Sequence, residues 1–472
     1  MTAARAIRTM SRGFDRENIT GDSHHDFSGY SMKKIGNSSR IREKILAVRE
    51  ETSRYSGTFP AGRISSSIKT NGQEPVRRVS TLADGTRDPG YRSIYPLSFA
   101  HLVTDIYMPV IPAVLPLLIA DRGLSFFLAG LMVTSYNLTS SATQPFFGWL
   151  SDRHGKQLHV STSLLISAVF IALIGVVTSY PLLLACAGLA AIGHACFHPN
   201  ALSIVSRIAN SVNRGRITAT FVVGGNIGYA LGPLIAGAVV ALFGLQGLTL
   251  LIVPALVMAV VLRKVLPTGE TPTPDPGTGI DQPRVSLSPL ASLFAASTLR
   301  AWAVFTAIAF FPPLLVSRGF DLFSANLLMT LMLFAGVAGQ ISGGILADAH
   351  GKKEFTIVSL LCSVPFLFLF LGSTGLVSYL ALILFGLFLW SSFAVTVAMS
   401  HEIMPSRVGM ASGLMLGVAI GAGGIGVAIN GMIADMYSLT TALYTIPILI
   451  VGAAAVMILV RYPWKVAERV RS

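Results

Sequence analysis

Charged residues and cysteines are scarce in this chain of 472 residues. Asp, Glu, Lys and Arg make up only 12% of it, whereas an ordinary soluble domain carries about 25%, so a soluble domain is excluded. The three cysteines, Cys186, Cys196 and Cys362, lie within apolar runs, and neither a disulfide framework nor a CxxC metal site is predicted. No apolar core followed by a small-residue cleavage site stands near the N-terminus, which argues against a secretory signal peptide.

Apolar residues dominate instead, at 52% of the chain, with a mean hydropathy of +0.66. The formal net charge of +13 does not indicate a nucleic-acid partner. Lys and Arg concentrate in a polar N-terminal tail and in short loops between apolar runs, as the positive-inside rule describes. We therefore predict an all-α integral membrane protein that contacts membrane lipids and binds no nucleic acid.

Twelve apolar runs have membrane length, since a spanning helix needs about 20 such residues. We predict spans at 94–119, 125–150, 158–178, 181–206, 215–243, 246–266, 299–317, 322–347, 354–373, 376–403, 408–434 and 440–461. Between the sixth and seventh spans lies a stretch rich in Pro, Gly and Thr, which is typical of a flexible or extended linker. The sequence thus predicts two six-helix halves, 93–266 and 291–462, joined by a linker at 267–290, with a short tail at 463–472.

Residues 1–92 are predicted to form a disordered basic tail, because they are rich in Ser, Arg and Gly and hold no long apolar run. Two interpretations of its basic clusters, Lys33-Lys34 and Arg77-Arg78, stay open. In the first interpretation, they contact anionic lipid head groups. In the second, they lie in a solvated tail, or in residues counted as protein only because the start codon was assigned too far upstream. We favour the second interpretation.

The loop charges predict the orientation of the chain in the membrane. One side carries little besides Arg122 and Arg318. The other side carries many basic residues, namely Arg153, Lys156, Arg207, Arg214, Arg216, Arg263, Lys264, Lys352, Lys353, Arg407, Arg461 and Lys465. The positive-inside rule therefore places both termini and the linker in the cytoplasm, and we expect the protein in the inner (plasma) membrane.

A charged turn occurs once in each half, after the second and eighth predicted spans. The first copy is Gly-Trp-Leu-Ser-Asp-Arg-His-Gly-Lys-Gln at 148–157, and the second is Gly-Ile-Leu-Ala-Asp-Ala-His-Gly-Lys-Lys at 344–353. A turn repeated between membrane-length segments indicates a duplicated membrane protein, as in many secondary transporters.

These turns resemble the cytoplasmic loop motif of the major facilitator superfamily, G-x-L-x-D-R-x-G-[RK]-[RK]. In that family such turns hold the cytoplasmic gate shut. The residues that would carry this gating role are Gly148, Asp152, Arg153, Gly155, Lys156, Gly344, Asp348, Gly351 and Lys352. The second copy departs from the motif at Ala349, which replaces the Arg. The fifth span resembles the family's antiporter motif through Gly228, Gly232, Pro233 and Gly237.

Shorter stretches narrow the resemblance to the fosmidomycin-resistance branch of drug exporters. They are Phe197-His198-Pro199, Val223–Gly228, Gly409–Gly413 and Arg300-Ala301-Trp302. The resemblance implies the twelve-helix major facilitator fold and proton-driven export of a small, often anionic, toxic compound. The residue after His-Pro, often acidic in relatives, is Asn200 here, which removes one candidate proton site.

Asp105 and His101 lie one helical turn apart on one face of the first span. A carboxylate at mid-membrane costs about 2.5–3.5 kcal/mol on insertion scales, so Asp105 is expected to face the protein interior. A histidine partner makes such a site switchable near neutral pH. We predict Asp105 as the principal proton carrier, with His101, His194 and His198 as further candidates for proton coupling. The alternative for Asp105 is a structural hydrogen bond that joins two helices. His194 is either a buried hydrogen-bonding histidine or a relay member, and His198 is expected to line the cavity.

His194 and His198 share the spacing of metal ligands in HExxH helices, but the stretch His194-Ala-Cys-Phe-His198 lacks the Glu. The sequence shows no further carboxylate or histidine cluster to complete three or four ligands. We therefore predict no metal site and no cofactor other than the coupling proton.

Arg300 stands near the cytoplasmic start of the seventh span. It is either a bidentate anchor for a phosphonate or carboxylate or an interfacial arginine that snorkels to the membrane surface, and both interpretations stay open. The uncharged polar residues Asn226, Asn137, Gln144 and Gln340 are further candidates for substrate binding, although such groups more often join neighbouring helices.

Together these features predict a proton-coupled antiporter that exports a small organic compound, acts as a monomer and is not an enzyme. The first alternative is an organic-anion/proton uptake symporter of the same fold. The outside alternative is a membrane-embedded metal enzyme that uses His194 and His198.

Overall fold

The computed structural model describes residues 89–154, 159–209, 213–266, 288–405 and 408–465, and within these residues the chain is helical with no strand. The first half comprises α1 (Pro89–Ile106), α2 (Val110–Arg122), α3 (Phe126–His154), α4 (Val160–Ile174), α5 (Tyr180–Ile208), α6 (Arg214–Phe243), a 3-10 helix (Leu245–Leu251) and α7 (Ile252–Val265).

The second half comprises α8 (Ser288–Ser317), α9 (Leu322–His350), α10 (Lys352–Gly372), α11 (Gly375–Ser391), α12 (Phe393–Ile403), α13 (Val408–Ser412), a π-helical turn (Gly413–Val418), α14 (Ala419–Met436), α15 (Leu439–Leu443) and α16 (Thr445–Leu459). Several spans are therefore built from two helices in succession. The first span, for example, breaks between α1 and α2 at Pro109, which has no N–H to donate.

Ten segments of the described residues are long and apolar enough to cross a membrane. Two further helices complete the twelve predicted spans. Helix α4 is apolar but has only 15 residues, and α3 has 29 residues with a run of hydroxyl and amide side chains. The all-α membrane fold predicted from the sequence is confirmed.

Two helices begin earlier than predicted. Helix α1 starts at Pro89, inside the predicted tail at 1–92, and α8 starts at Ser288, inside the predicted linker and well before the predicted span at 299. Proline suits the first turn of a helix, where its missing N–H leaves no bond unmade, and Pro89 and Pro289 both stand there. The remainder of the tail and of the linker lies outside the described residues, as do residues 466–472.

The two halves are joined near the end of the bundle where α2 ends at Arg122 and α3 begins at Phe126, here termed the opposite end. Asn326 Nδ2 donates to the Ala113 carbonyl at 3.0 Å, and the Leu234 N–H donates to Thr330 Oγ1 at 3.1 Å. Thr134 Oγ1 donates to the Gly424 carbonyl at 2.7 Å. Hydrogen bonds between the halves thus close this end.

The other end of the bundle, where α3 ends at His154 and α9 ends at His350, is termed the motif end because the two repeated turns begin there. A cavity of about 550 Å³ separates the halves on this side. Gln144, Pro145, His198 and Leu202 line it from the first half, and the segment from Met410 to Val418 lines it from the second. Among the described residues, the bundle is open here and closed at the opposite end.

Candidate functional site

Helices α1 and α6 approach each other closely because glycines face α1. A Cβ atom at Gly228 would overlap the backbone carbonyl of Leu102. A Cβ at Gly225 would overlap both the His101 ring and the Asp105 carboxylate. Small residues allow this contact in membrane helices, and here they fix the position of two ionisable groups.

Asp105 is surrounded by three histidines. Its Oδ2 lies 3.2 Å from His101 Nε2, and its Oδ1 lies 3.4 Å from His194 Nε2 and 3.5 Å from His198 Nε2. The two Nε2 atoms of His194 and His198 are 3.1 Å apart. All four groups predicted to carry the proton therefore converge at one place, termed the His–Asp cluster.

The convergence corrects one expectation from the sequence. We expected no further carboxylate or histidine beside His194 and His198, yet Asp105 and His101 lie next to them. The sequence pattern missed this because the two pairs are on α1 and α5, and only the packing of those helices brings them together.

The His101 ring is fixed in orientation. Its Nδ1 lies 2.8 Å from the Phe221 carbonyl oxygen, which only accepts hydrogen bonds, so Nδ1 carries the hydrogen. The ring also stacks on Phe221, with centroids 4.0 Å apart and planes at 17°. Its Nε2 is thereby aimed at Asp105, and this N···O contact is favourable only when a proton or another cation lies between the two atoms.

A second cavity, of about 180 Å³, lies between the halves beside the cluster. Asp105 and Asn226 line it from the first half, and Arg300 and Gln340 from the second. The cavity wall also includes Tyr229, Trp390 and Phe393, which the sequence analysis did not single out. Aromatic residues in apolar spans are too common for the sequence to mark these three.

Arg300 is buried, with 5% of its surface exposed, although it carries a charge. Its guanidinium lies 4.9 Å from the ring centroid of Phe393. Among the described residues it makes no ion pair or hydrogen bond, and its Nε is a buried donor without an acceptor. This arrangement excludes the snorkelling interpretation, because a snorkelling side chain extends to the membrane surface.

The structure separates the uncharged candidates for substrate binding. Asn226 and Gln340 line the 180 Å³ cavity with Arg300. Gln144 lines the larger cavity and donates to Ser140 Oγ at 3.2 Å. Asn137 is 3% exposed and packs against Gly424 where α3 crosses α14.

The antiporter-like residues of α6 pack against different neighbours along its length. Gly232 faces Pro109 at the break in the first span, and Gly237 faces Asn326 in the other half. Pro233 lies within the helix and is buried. Gly232 thus packs α6 against the first span, and Gly237 brings the two halves together near the opposite end.

Of the two predicted gating turns, the second is described more fully. Lys352 Nζ lies 2.9 Å from Glu402 Oε1 and 3.5 Å from Asp348 Oδ1, and Tyr462 donates to the Glu402 carboxylate. Burial, and then that hydrogen bond, raise the pKa of the Tyr462 hydroxyl. Gly351 ends α9 with φ of 109°, a conformation that suits glycine.

All of these contacts lie within the second half. Of the first turn, Gly148 lies in α3, the side chains of Asp152 and Arg153 are not described, and Gly155 and Lys156 lie outside the described residues. Trp302, from the branch motif, donates from Nε1 to Asn430 Oδ1 at 2.7 Å and joins α8 to α14.

Twelve helical spans in two halves, with ionisable groups around a cavity between them, define a polytopic membrane transporter. The chain matches the family model of the Major Facilitator Superfamily over residues 97–311 and again over residues 293–471. The protein therefore belongs to the Major Facilitator Superfamily. It is a transporter rather than an enzyme, which excludes the metal-enzyme alternative.

Curated relatives confirm the predicted resemblance to the fosmidomycin-resistance branch. The chain is 29% identical over 360 residues to the fosmidomycin resistance protein of Escherichia coli (strain K12), covering 73% of this chain and 86% of that protein. It is also 29% identical over 392 residues to the uncharacterized MFS-type transporter YfnC of Bacillus subtilis (strain 168), covering 79% and 94%.

Solved structures show the same fold at lower identity. A bacterial homologue of the human lysosomal transporter Spinster, inward-facing and unoccupied, has a TM-score of 0.66 with 17% identity, covering 82% of this chain and 98% of that one. A point mutant of the nucleoside transporter NupG has a TM-score of 0.63 with 13% identity, covering 78% and 100%.

Proposed function

We propose that this transporter is a proton-coupled antiporter that exports a small, anionic organic compound by alternating access. The observation that supports this most is the buried guanidinium of Arg300, which faces the cavity without an anionic partner among the described residues. Leaving a charge buried and unpaired is costly. A carboxylate, phosphonate or phosphate would supply the two parallel acceptors that a guanidinium binds best.

Asp105 lines the same cavity and supplies the coupling site in this proposal. A proton on the His–Asp cluster and an anion on Arg300 occupy one cavity and attract each other as opposite charges, so antiport requires a cycle in which the protein changes conformation with only one of the two bound. Exchange follows if binding of the compound on one side releases the proton, and rebinding of a proton on the other side releases the compound.

Orientation sets the direction of export. The positive-inside rule places the motif end, both termini and the linker in the cytoplasm, with the chain in the inner membrane. On that assignment the 550 Å³ cavity opens inward, and the conformation is inward-facing, ready to take up a compound from the cytoplasm. One chain contains both halves of the path, so the protein acts as a monomer.

The names of relatives suggest the substrate class. One of them is a fosmidomycin resistance protein. A cavity of about 180 Å³ is smaller than the 300–1,000 Å³ typical of drug-sized ligands. A small phosphonate drug of the fosmidomycin type fits this proposal best.

The experiment that tests the proposal measures the direction of fosmidomycin flux and of proton flux across a vesicle membrane. Proteoliposomes are loaded with a pH indicator, fosmidomycin is added on one side, and proton movement is recorded. The orientation of the protein in the vesicles is determined from protease protection of its linker. We expect proton flux opposite to fosmidomycin flux. Flux of both in the same direction would instead establish the uptake symporter. Fosmidomycin flux without proton flux would show that transport is not coupled to protons.

A further inference from the structure

We infer that the His–Asp cluster of His101, Asp105, His194 and His198 is a binding site for a divalent transition-metal ion of the Zn²⁺ class. The inference goes beyond the proposed function: the ion and the coupling proton compete for the same side chains, and binding of the ion is measured without transport. It is based on the number of ligands, their spacing and their supporting contacts.

The number and type of ligands suit such an ion. Three imidazoles and one carboxylate make a complete tetrahedral set for zinc. Ligand atoms of His101, Asp105 and His198 all lie within 4.8 Å of one another, and His194 Nε2 lies 3.4 Å from Asp105 Oδ1 and 3.1 Å from His198 Nε2. With no sulfur and one oxygen ligand, the set favours Zn²⁺, Co²⁺ or Ni²⁺ over Cu⁺ and over the oxygen-binding ions Mg²⁺ and Ca²⁺.

The distances between several ligand atoms are also close to those around a tetrahedral zinc ion. Bonds of about 2.0–2.1 Å to a tetrahedral zinc place neighbouring ligand atoms roughly 3.3–3.4 Å apart. Three contacts join Asp105 oxygens to histidine Nε2 atoms at 3.2, 3.4 and 3.5 Å, and a fourth joins His194 Nε2 to His198 Nε2 at 3.1 Å. These four contacts are close to the distances that the ion requires, and His194 must move towards His101 for all four groups to reach one ion, because among the described residues only His101, Asp105 and His198 form the group within 4.8 Å.

Supporting contacts hold the rings as they are held in metal sites. A metal-binding histidine usually donates its other ring N–H to a carbonyl or carboxylate, which fixes the tautomer. His101 Nδ1 makes this bond to the Phe221 carbonyl at 2.8 Å, so its Nε2 is the free ligand atom. His194 Nδ1 lies 3.3 Å from Ser140 Oγ, which leaves its Nε2 facing Asp105.

The site is also accessible to an ion. Asp105 lines the 180 Å³ cavity and His198 lines the 550 Å³ cavity that opens at the motif end. The side chains of His198 and Asp105 are 20% and 16% exposed. The cluster thus lies between the two cavities, so a hydrated ion that enters from the motif end reaches His198 first.

Zinc binding to the purified full chain tests the inference. The affinity tag is removed and the tail histidines are replaced in a His24→Ala/His25→Ala background, because the chain has 9 histidines and this adjacent pair lies in the tail. Equilibrium dialysis against Zn²⁺ alone, with metal analysis, is expected to give one ion per chain. His198→Ala and Asp105→Asn should each weaken binding at least tenfold, the scale of losing a ligand or its support.

His401→Ala is the matched control, since this ring lies outside the cluster and bonds to Ser412 Oγ at 2.7 Å. It should bind zinc as the background protein does. Equal zinc binding by His198→Ala and His401→Ala would overturn the inference, as would a background protein that binds no zinc.

Two further measurements protect the test against misfolded variants. Zn²⁺ should raise the apparent Tm of the background and the control, because a ligand of the native state stabilises it, and it should leave the Tm of the cluster variants unchanged. Co²⁺ in place of Zn²⁺ should give the intense visible absorption of tetrahedral cobalt in the background protein. The weak spectrum of octahedral cobalt would contradict the four-ligand site.

Discussion

The Asp435 carboxylate of α14 accepts a hydrogen bond from the backbone N–H of Phe126, the first residue of α3, at 2.8 Å, and a second from the next residue at the same distance. Asp435 belongs to the second half and α3 to the first. A carboxylate at a helix N-terminus satisfies unpaired N–H groups and interacts favourably with the helix dipole. This contact therefore stabilises the closed opposite end.

Asp435→Ala should shift the protein towards the conformation that is open at the opposite end. Loss of a capping side chain costs about 1 kcal/mol, which is roughly a fivefold change in the ratio of the two conformations. Distance measurements between spin labels at Asp121 and Tyr437, in a cysteine-free background, should show a larger population at long distance.

Asp321→Ala is the matched control for that experiment. Asp321 caps α9 within its own half and accepts from the Ser324 N–H at 2.9 Å. Its loss weakens a helix terminus without breaking a contact between the halves. An equal shift in both variants would mean that the label distances report general loosening rather than opening.

Arg300 is predicted to bind the anion through two parallel hydrogen bonds. Arg300→Lys keeps the charge but loses that geometry, so fosmidomycin should bind several-fold more weakly. Arg300→Gln should bind it roughly 10- to 100-fold more weakly, since hydrogen bonds to charged groups contribute about 1.5–3 kcal/mol. Isothermal titration measures both. Unchanged affinity in Arg300→Lys, equal to that of the control Arg263→Lys in the last turn of α7, would contradict the bidentate site.

Arg300 is also expected to destabilise the folded protein. Arg300→Met removes a buried charge that has no anionic or hydrogen-bonding partner among the described residues, so the variant should be more stable than the wild type in detergent, by about 1–3 kcal/mol. A rise in Tm together with loss of fosmidomycin binding would show that the guanidinium serves binding at the expense of stability. A fall in Tm would show that Arg300 is structural.

Gly228 tests the close contact of α1 and α6. Gly228→Ala places a methyl group against the Leu102 carbonyl, and overpacking of this kind costs about 1–3 kcal/mol. We expect displaced helices and a loss of transport. Gly215→Ala, on the same helix, has no atom within 4 Å of the new Cβ and should transport normally. Equal transport activity in the two variants would show that transport does not require the close approach of α1 and α6.

Asp152 tests the predicted role of the first turn. Asp152→Asn should leave fosmidomycin binding intact and slow its turnover, because the turn is predicted to stabilise one conformation rather than to contact the compound. Binding affinity and transport rate are measured on the same preparation. Weakened binding at an unchanged rate would contradict the gating role.

The sequence predicted those features that depend on residues close together in the chain. The spans follow from runs of apolar residues, and the pairs His101–Asp105 and His194–His198 follow from the spacing of one helical turn. It did not predict that the pairs meet, since that depends on how α1 packs against α5.

The sequence also could not separate Asn137, Gln144 and Gln340 as candidates for substrate binding. Each lies in an apolar span, and the rotation of each helix about its axis decides which side chain faces the cavity. That rotation is set by contacts such as Gly424 against Asn137, which involve residues far apart in the chain.

Proton release on substrate binding is the most direct test of proton coupling at Asp105. Fosmidomycin is added to wild-type protein in weakly buffered detergent with a pH indicator, beside Asp105→Asn and the carboxylate control Asp321→Asn. The account predicts that binding releases a proton from the wild type and the control, and that Asp105→Asn binds fosmidomycin without releasing one. Equal proton release from all three proteins, or none from the wild type, would contradict coupling at Asp105.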